Sequence, residues 1–450
     1  MTDQLEAVLA TVRERVTPSA DERERLEETA SILQIRTEEA VNSLPVEADV
    51  IRVGSSSRDT WLRGDRDIDI FVCFDPDLSR AELERYGLEV GNRVLPDGRM
   101  EYAEHPYVSA EYAGYAVDLV PCYAVADASE IRSAVDRTPF HAEYIAGRLT
   151  EEQAVDVRVF KRFCESIGVY GSNLKTQGFS GYLSELLILE YGDFPSLIDG
   201  ATTWNPPVYF DPASHAAETF DGPLVVIDPT DPTRNVAAVV TAATVSRFQH
   251  YARQFRDEPS LSFFESTPAD PITETQLLEH IANRQTTPVG IRVSVPEMVD
   301  DQLYPQLRTS MHGIANELDQ HGFGVVRAAC DAVDTALMYL EVESAVLPAV
   351  ERHTGPPVHV TPHADAFLSR WDSDAAYGPF IDGNRYVVER YRDVRSIAAV
   401  FERDRLDKIK LGRDIRQAME HSVDILVGED VTALLPEYSR TLGAFYDPRP

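Results

Sequence analysis

The sequence predicts an α+β protein that consists of several domains. Apolar residues recur at helical spacing in segments such as 20–43 and 154–167, whereas apolar and polar residues alternate along the strand-like segment 67–74. The chain has 450 residues, which is enough for three or four domains of about 100–150 residues each. A strand pattern at 289–295, followed by a helical pattern at 301–320, indicates a separate small α+β domain in the second half of the chain.

The remaining elements follow from the same two periodicities. The helix predicted at 20–43 would bury an apolar face formed by Leu26, Ala30, Leu33 and Ile35. The other predicted elements are a helix at 80–93 and strands at 50–53, 100–103, 107–113, 114–123, 322–332 and 335–343.

Composition and cysteine spacing predict the compartment. Hydrophobic residues make up 43% of the chain, but no uninterrupted apolar run reaches the ~20 residues that a membrane span requires. The N-terminal sequence MTDQLEAVLATVRERV has the pattern of an acidic amphipathic helix and not of a signal peptide. The four cysteines lie far apart and form no Cys-x-x-Cys pair, so neither a zinc site nor a disulfide framework is expected. We therefore expect a cytoplasmic protein without a membrane partner.

Charge is the unusual feature of this chain. The net charge is −33 and the pI is near 4.6, which ordinarily argues against a nucleic-acid partner. Lysine occurs only four times, so 38 of the 42 basic residues are arginine. Such a composition indicates a proteome adapted to high salt, in which ions screen the repulsion between surface charges. The acidity then describes the cell and says little about the substrate.

Two aspartates lie in the strand predicted at 67–74. Asp67 and Asp69 alternate with the apolar residues Ile68 and Ile70, so the two carboxylates project from the same face of the strand. Neighbouring carboxylates repel each other unless a cation neutralises them. This arrangement suits a hard divalent ion, and Mg²⁺ is the usual ion where phosphates are handled. The alternative is an edge strand whose aspartates face water.

A polar turn precedes this strand. Gly54 can adopt backbone angles closed to other residues, and Ser55 presents both a hydroxyl and an N–H. Arg58 adds a fixed positive charge three residues later. Together with the two aspartates, the turn predicts a triphosphate site beside a metal ion, and a polar hairpin is the alternative. Asp65, which follows Gly64, is assigned to the turn and not to the metal site.

A third carboxylate lies in a later predicted strand. Asp118 stands in the middle of the apolar run 116–120, and a buried carboxylate without a partner is costly. It therefore needs a partner or a metal ion, unless it faces solvent. A third strand carboxylate would complete a two-ion site with Asp67 and Asp69.

Lys161 is one of the four lysines and lies in the helix predicted at 154–167. The other face of this helix consists of the apolar residues Ala154, Val157, Phe160 and Cys164. A lone lysine directed at a cleft is suited to bind a phosphate, and a solvated helix charge is the alternative.

Two further segments carry helix-start signals. The segment 228–240 has two Asp-Pro turns, and the pattern predicts a helix after them with Asn235 as its N-cap. Arg234 would then stand just before the helix, where the positive end of the helix dipole favours anions. Ser180 is predicted to cap another helix, and Gly181 would allow close backbone approach.

Residues 385–416 are the most basic part of the chain, with a net charge of +4. The basic residues are Arg385, Arg390, Arg392, Arg395, Arg403, Arg405, Lys408, Lys410, Arg413 and Arg416. RNA phosphates are the natural target of such a segment. The alternative is a helix with many internal ion pairs.

These residues, in this order, resemble a known family. The pattern of Gly54-Ser55 followed by Asp67-Ile68-Asp69, with Asp118 on a later strand, resembles the polymerase-beta nucleotidyltransferase superfamily. It is most similar to the archaeal class I CCA-adding enzymes, the CTP(ATP):tRNA nucleotidyltransferases. Further supporting segments are RTPFHAEYI at 137–145, KRFCESIGVYGSNLKTQGFSGYLSELLI at 161–188 and DPTDPTRNVAAVV at 228–240. The resemblance covers essentially the whole chain.

The resemblance implies roles for the first group of site residues. By this likeness, Ser55 and Arg58 would hold the triphosphate of the incoming nucleotide. The three carboxylates, Asp67, Asp69 and Asp118, would bind two Mg²⁺ ions.

The resemblance also implies nucleotide contacts elsewhere in the chain. His141, Lys161 and Tyr170 would contact the ribose and phosphates, and Arg234 would read the base edge of CTP or ATP. From the residues alone, His141 could equally be a polar residue near a helix start, and Tyr170 could serve packing. A phosphate contact is the competing role for Arg234.

The resemblance further implies the architecture. The expected parts are a nucleotidyltransferase domain of the polymerase-beta type at 1–145, a helical central domain at 146–270, an α+β tail at 271–365 and a basic C-terminal region at 366–450. The tail would lie against the tRNA elbow, and a homodimer remains open.

The implied activity is addition and repair of the 3′-terminal CCA of tRNA from CTP and ATP. Two alternatives remain at this point. One is an RNA nucleotidyltransferase of the poly(A) or oligoadenylate type, and the other is a non-catalytic RNA-binding or nucleotide-sensing protein.

Overall fold

The computed structural model describes residues 3–102, 104–402 and 405–450, with the side chain of Ser129 also left out. The chain forms two compact units, Met1–Thr267 and Pro268–Arg449, and each is described by itself. Both units contain helices and sheets, so the predicted α+β class is confirmed. The division into four domains stays a prediction.

The first unit contains nine helices among its described residues. They are α1 (Asp3–Val16), α2 (Ala20–Val41), α3 (Gly54–Ser57), α4 (Arg80–Val94), α5 (Thr138–Ala146), α6 (Glu151–Ser166), α7 (Gly181–Tyr191), α8 (Phe194–Ala201) and α9 (Ala242–Asp257). The strands of this unit are β1 (Ala48–Val53), β2 (Asp67–Phe74), β3 (Arg99–Tyr102), β4 (Pro106–Tyr112), β5 (Tyr115–Tyr123), β6 (Val208–Phe210), β7 (Leu224–Asp228) and β8 (Asp231–Asn235).

Five strands form the N-terminal sheet in the order β1-β2-β5-β4-β3. β2 and β5 run parallel, and the other neighbours in the sheet are antiparallel. Alternation along β2 sends Ile68, Ile70 and Val72 into a core shared with α2 and α4. The intervening residues Asp67 and Asp69 therefore project from the opposite face of the sheet, as the period-two pattern predicted.

Four helices and an aromatic core follow the sheet. α6 packs against α1, α7 and α8, and α8 packs against α9. The shared core includes the fully buried rings of Phe160, Phe163, Phe179, Phe194 and Phe248. α6 is buried on its polar face as well, because Arg158 and Lys161 are 1% and 2% exposed. A solvated role for Lys161 is therefore wrong.

Two local predictions in the first unit are wrong. Ile35 is 55% exposed and is not part of the buried face of α2, because that face is completed by Thr37 instead. No helix begins at Asn235, since Arg234 and Asn235 belong to strand β8. The next helix is α9, whose N-cap is Thr241, with its hydroxyl accepting from the Thr244 N–H at 3.2 Å.

The second unit has its own helices and strands. The helices are α10 (Glu274–Arg284), α11 (Asp300–His321), α12 (Thr361–Trp371), α13 (Ile397–Val400), α14 (Arg413–His421) and α15 (Leu435–Tyr446). The strands are β9 (Thr287–Val293), β10 (Val325–Ala332), β11 (Ala336–Val342), β12 (Val350–Pro357), β13 (Tyr377–Asp382), β14 (Arg385–Tyr391) and β15 (Val423–Val427). They form two sheets, ordered β10-β11-β9-β15 and β12-β14-β13. The small α+β region predicted around 289–343 is confirmed.

The basic segment 385–416 is not one helix. It contains β14, α13 and the start of α14, and several of its arginines bind within the unit. Arg390 and Arg392 both pair with Glu351, at 2.7 and 2.9 Å. Arg403 lies outside the described residues. Across the described ranges, we find no helix with the length and apolar content that crossing a membrane demands.

Candidate active site

The three predicted carboxylates lie on neighbouring strands. Asp69 on β2 is paired in register with Asp118 on the parallel strand β5, and Asp67 lies two residues earlier on β2. Burial raises the pKa of Asp69 to about 6, and the nearby charges of Asp118 and Asp67 add to the shift. Burial also raises the pKa of Asp118, although a hydrogen bond from Ser109 opposes the shift. The site therefore holds more negative charge than its surroundings neutralise.

Gly54 lies directly against the carboxylate of Asp69. Its φ of +77° is a conformation that residues with a Cβ rarely adopt, and a Cβ at this position would lie 2.0 Å from Oδ2 of Asp69. Ser55 follows in the short helix α3, and its carbonyl accepts the N–H groups of Arg58 and Thr60 at 3.3 and 3.0 Å. The glycine-serine turn thus lies beside Asp69, and its role as a triphosphate site stays a prediction.

The donor chemistry of this group fits a hard divalent cation. Carboxylate oxygens are the preferred ligands of such ions, and a cation would offset both the burial and the repulsion that raise the pKa values of Asp69 and Asp118. Within the described ranges, no group of three or more His, Cys, Asp or Glu side chains is placed to hold a metal ion. Asp67 is exposed at the start of β2, whereas Asp69 and Asp118 are half-buried beside each other. The two half-buried carboxylates are therefore the fixed part of the candidate metal site.

Arg58 is held by a buried carboxylate that the sequence analysis did not select. Its Nε donates to Oε1 of Glu185 at 3.1 Å, and its Nη2 lies 3.1 Å from Oε2. The hydroxyl of Thr60 donates to the same Oε1 at 2.5 Å. Glu185 lies in the middle of α7 and is fully buried. The turn after β1 is therefore anchored to α7 by an ion pair.

Lys161 joins this cluster from α6. Its Nζ donates to the carbonyl of Thr60 at 2.8 Å, and Arg158, one helical turn earlier, donates to the carbonyl of Asp59. Burial lowers the pKa of Lys161 to about 8, partly offset by the charge of Glu185. Two cations of one helix thus bind consecutive carbonyls of the turn.

Tyr170 lies beside the same lysine. A Cβ on Gly181 would lie 3.4 Å from the hydroxyl of Tyr170 and 3.6 Å from Nζ of Lys161. Gly181 is the first residue of α7, and Ser180 caps this helix by accepting the Leu183 N–H at 3.1 Å. The structure therefore brings Lys161, Tyr170 and the start of α7 together, and the predicted cap is confirmed.

His141 and Arg234 meet at a second buried carboxylate. Oδ2 of Asp228 lies 2.8 Å from Nε2 of His141 and 2.6 Å from Nη1 of Arg234. The ring of His141 stacks on Tyr182 with centroids 3.9 Å apart. These side chains border a cavity of about 550 Å³, which Ser180 and Asn235 also line.

Arg58 links the carboxylates to this cavity electrostatically. Burial is the largest cause of the pKa shifts of Asp69, His141 and Lys161, and the charge of Arg58 acts on all three. The nine residues selected from the sequence therefore fall into three adjacent groups in the first unit: the carboxylates, the Arg58–Lys161 cluster and the cavity.

Two further candidate residues, Glu185 and Asp228, are not among those predicted from the sequence. Glu185 stands alone in the apolar segment Leu183–Ile188, and a charge in a fully buried helix is a signal that could have identified it. The sequence predicts an Asp-Pro turn at Asp228, whereas the structure places this residue, fully buried, at the end of the apolar strand β7.

Comparison with known proteins defines the class. The model of the nucleotidyltransferase domain matches residues 35–141, which contain the sheet and all three carboxylates. The model described as tRNA nucleotidyltransferase, second domain, matches residues 155–265, and that of the CCA-adding enzyme, C-terminal domain, matches residues 284–428. The protein is a nucleotidyltransferase with the expected N-terminal domain.

Relatives identify the particular family. The chain is 53% identical to the CCA-adding enzyme of Halobacterium salinarum and 49% identical to that of Haloarcula marismortui, with complete coverage of each pair. It is 38% identical to the CCA-adding enzyme of Methanosarcina barkeri over 94% of both chains. The chain belongs to the CCA-adding enzyme family, so the resemblance seen in the sequence is confirmed. Its acidic, lysine-poor composition agrees with relatives from halophilic archaea.

Proposed function

We propose that this enzyme adds and repairs the 3′-terminal CCA of tRNA in the cytoplasm, using CTP and then ATP, with Mg²⁺ as its metal ion. The main support is that Asp69 and Asp118 lie opposite each other on parallel strands, with the Gly54-Ser55 turn beside Asp69. The chain that carries this arrangement belongs to the CCA-adding family. The carboxylates would bind the metal, and the turn would bind the triphosphate.

The metal-binding role belongs to Asp67, Asp69 and Asp118. When bound there, Mg²⁺ would lower the pKa of the tRNA 3′-hydroxyl and neutralise the triphosphate as pyrophosphate leaves. Asp118 is the candidate to orient the hydroxyl or to accept its proton, because it lies in register beside Asp69 on the neighbouring strand. Gly54 keeps the backbone close to these oxygens.

The triphosphate role is supported by the local charge balance. Arg58 and Lys161 are two buried cations, whereas Glu185 is the fully buried anion that binds this turn. The cluster therefore has positive charge to spare, which an incoming triphosphate would neutralise. Ser55 would add its hydroxyl, and Tyr170 lies beside Lys161 for a further phosphate or ribose contact.

The nucleoside would occupy the neighbouring cavity. His141 and Arg234 both line it, and its volume of about 550 Å³ is sufficient for a nucleoside. We assign His141 to the ribose and Arg234 to the base edge or a phosphate. The polar side chains that line the cavity would orient the bound nucleoside, because buried polar groups disfavour a ligand that leaves them without hydrogen bonds.

The tRNA contacts are assigned to the second unit and the basic segment. Lys408, Lys410 and Arg413 are exposed, so they are available to backbone phosphates. We keep the four-part division at 1–145, 146–270, 271–365 and 366–450 as part of this proposal. The tail would contact the tRNA elbow, and a homodimer is the assembly to test.

The decisive experiment supplies nucleotides singly and together. The protein is incubated at high salt with Mg²⁺ and a tRNA that ends before CCA, and the products are separated at single-nucleotide resolution. We expect two cytidines from CTP, one further adenosine when ATP is added, and then a stop. Long adenosine tails would show a poly(A)-type enzyme. Absence of pyrophosphate release under all conditions would show a non-catalytic protein.

A further inference from the structure

Asp228 has an unusually complete set of hydrogen-bond donors. Beyond His141 and Arg234 on Oδ2, its Oδ1 accepts the N–H and the hydroxyl of Thr230 at 2.9 and 2.8 Å. The hydroxyl of Tyr182 donates to the same oxygen at 3.3 Å. The carboxylate is fully buried, so these side chains take the place of water.

The geometry assigns the proton on His141. Burial lowers the pKa of His141, although Asp228 opposes the shift, so the ring is neutral near pH 7 and carries one N–H. Burial alone would raise the pKa of Asp228, but the hydrogen bonds, led by that of His141, bring it well below its ordinary value. An ionised carboxylate can only accept, so Nε2 must donate, and Nδ1 is left as an acceptor.

The same carboxylate fixes the other two side chains at the cavity. Arg234 is one-third exposed, and its guanidinium is tied to Oδ2 through Nη1, so its remaining N–H groups have a defined direction. Tyr182 is held at Oδ1 and supports the ring of His141 by stacking. One carboxylate thus orients a neutral acceptor and a cationic donor on the same cavity wall.

We propose that Asp228 is a positioning residue for the nucleotide: it holds His141 as the Nε2–H form and aims Arg234 into the cavity. The proposal rests on the proposed function, in which His141 and Arg234 contact the incoming nucleotide. Asp228 itself does not line the cavity and acts only through its neighbours.

An Asp228→Asn substitution tests whether the hydrogen bonds of Asp228, and not merely its volume, position the neighbouring side chains. Asparagine has the same shape but only one acceptor oxygen, and every side chain around Asp228 donates to it. Its NH₂ group must therefore face at least one donor, either at the His141 and Arg234 side or at the Thr230 and Tyr182 side. Either orientation of the amide breaks at least one of these hydrogen bonds without leaving a cavity in the packing.

The matched control is Asp156→Asn. Asp156 is also a buried aspartate of the first unit, and it accepts from an arginine, Arg13, at 2.8 Å and from the backbone N–H of Phe194 at 3.2 Å. It contacts neither His141 nor Arg234. The two variants therefore lose similar kinds of bonds, and only one of them lies behind the cavity.

Two readouts test the proposal. In wild type, ¹⁵N-histidine NMR of the full chain, with His141→Gln used for assignment, should show a protonated Nε2 and an unprotonated Nδ1. In Asp228→Asn this pattern should be lost or mixed, and the KM for CTP and ATP should rise about 10- to 100-fold with a smaller change in kcat. Asp156→Asn should change neither readout.

A double variant checks that Asp228 acts through its neighbours. Arg234→Gln should raise KM by itself. In this Arg234→Gln background, Asp228→Asn should raise KM by a clearly smaller factor than it does in the wild-type protein. An unchanged His141 spectrum, an unchanged KM, or an equal KM change in Asp156→Asn would overturn the inference while the CCA assay still succeeds. If wild type shows the expected His141 spectrum but adds no CCA, the proposed function fails instead.

Discussion

Asp69 and Asp228 are both aspartates on strands of the first unit, yet their surroundings are opposite. Asp69 lies among other carboxylates, and burial together with their charges raises its pKa to about 6. Asp228 is more deeply buried but is surrounded by donors, and its pKa falls well below the ordinary value. The charge of Arg58 only partly offsets the burial and repulsion at Asp69. The carboxylate of Asp228, by contrast, is satisfied by hydrogen bonds from its neighbours.

This difference separates two kinds of role. A carboxylate without sufficient donors is a candidate ligand for something that binds, and here the candidate is a divalent cation. A carboxylate saturated by its own neighbours cannot take a ligand without losing them, so its role is to hold those neighbours in place. Glu185 resembles Asp228 only in part. Its Oε1 accepts from Arg58 and Thr60, whereas its buried Oε2 lies 3.1 Å from Nη2 of Arg58 without a hydrogen bond.

The largest expected effect comes from Asp69→Asn. We expect kcat/KM for CMP incorporation to fall at least about 10³-fold, because the amide removes a metal ligand and its charge. Binding of tRNA, measured by filter retention, should survive. Asp75→Asn, just beyond the end of the same strand, is the control and should keep activity.

Without metal at pH 7.5, the Asp69→Asn variant should be at least as stable as the wild-type protein. The folded pKa of Asp69 lies above its unfolded value of about 3.9, so stability falls as the pH rises from about 4 to 6 and stays reduced above that range. The reduction is at most about 3 kcal/mol. Retained CMP incorporation in Asp69→Asn would contradict a metal-binding role for Asp69. A loss of both stability and tRNA binding would show that its role is structural.

The second prediction concerns Glu185→Gln. Removing the buried charge leaves Arg58 without its partner, so we expect the free energy of unfolding to fall by about 3 kcal/mol in urea titrations. Glu190→Gln, on the exposed end of the same helix, should change it by less than about 0.5 kcal/mol. Equal stability of the two variants would mean that the Arg58–Glu185 pair does not stabilise the turn.

The smallest expected effect is that of the metal on thermal stability. At ten times its Kd, Mg²⁺ should stabilise the protein by about 1.4 kcal/mol, or a rise in Tm of about 1.5–3 °C, at pH 7.5. The shift should shrink at pH 5, because Asp69 is then mostly protonated and the metal must displace the proton. In Asp69→Asn the shift should disappear, and Mn²⁺ in place of Mg²⁺ tests ion preference. A shift that is equal at both pH values would place the metal elsewhere.

Much of the fold could be predicted from local periodicity. The strand containing Asp67 and Asp69, the helix α4 and the strands β9 and β11 lie within a few residues of their predicted bounds. The helix expected after Asn235 failed for a physical reason. Asn235 uses its side-chain oxygen to accept the N–H groups of Val226 and Ala237, which ties it to strand β7 and not to a helix start. A capping residue type does not reveal which backbone it will bind.

The candidate site divides in the same way. The aspartates of β2 were visible because their spacing of two residues has a direct geometric meaning in a strand. The pairing of Glu185 with Arg58 and of Asp228 with His141 could not be predicted, because these partners lie 127 and 87 residues away in the chain. No local pattern records such a pairing.

The sequence alone determined which residue types can bind a metal and a phosphate, and that the chain resembles one family. Only the tertiary structure decided which of these groups are unsatisfied. It set Asp69 beside Asp118 on parallel strands, and it placed Lys161 in the interior against a backbone carbonyl. The physical reason is that pKa and binding capacity depend on burial and on neighbours from distant parts of the chain, which the fold alone brings together.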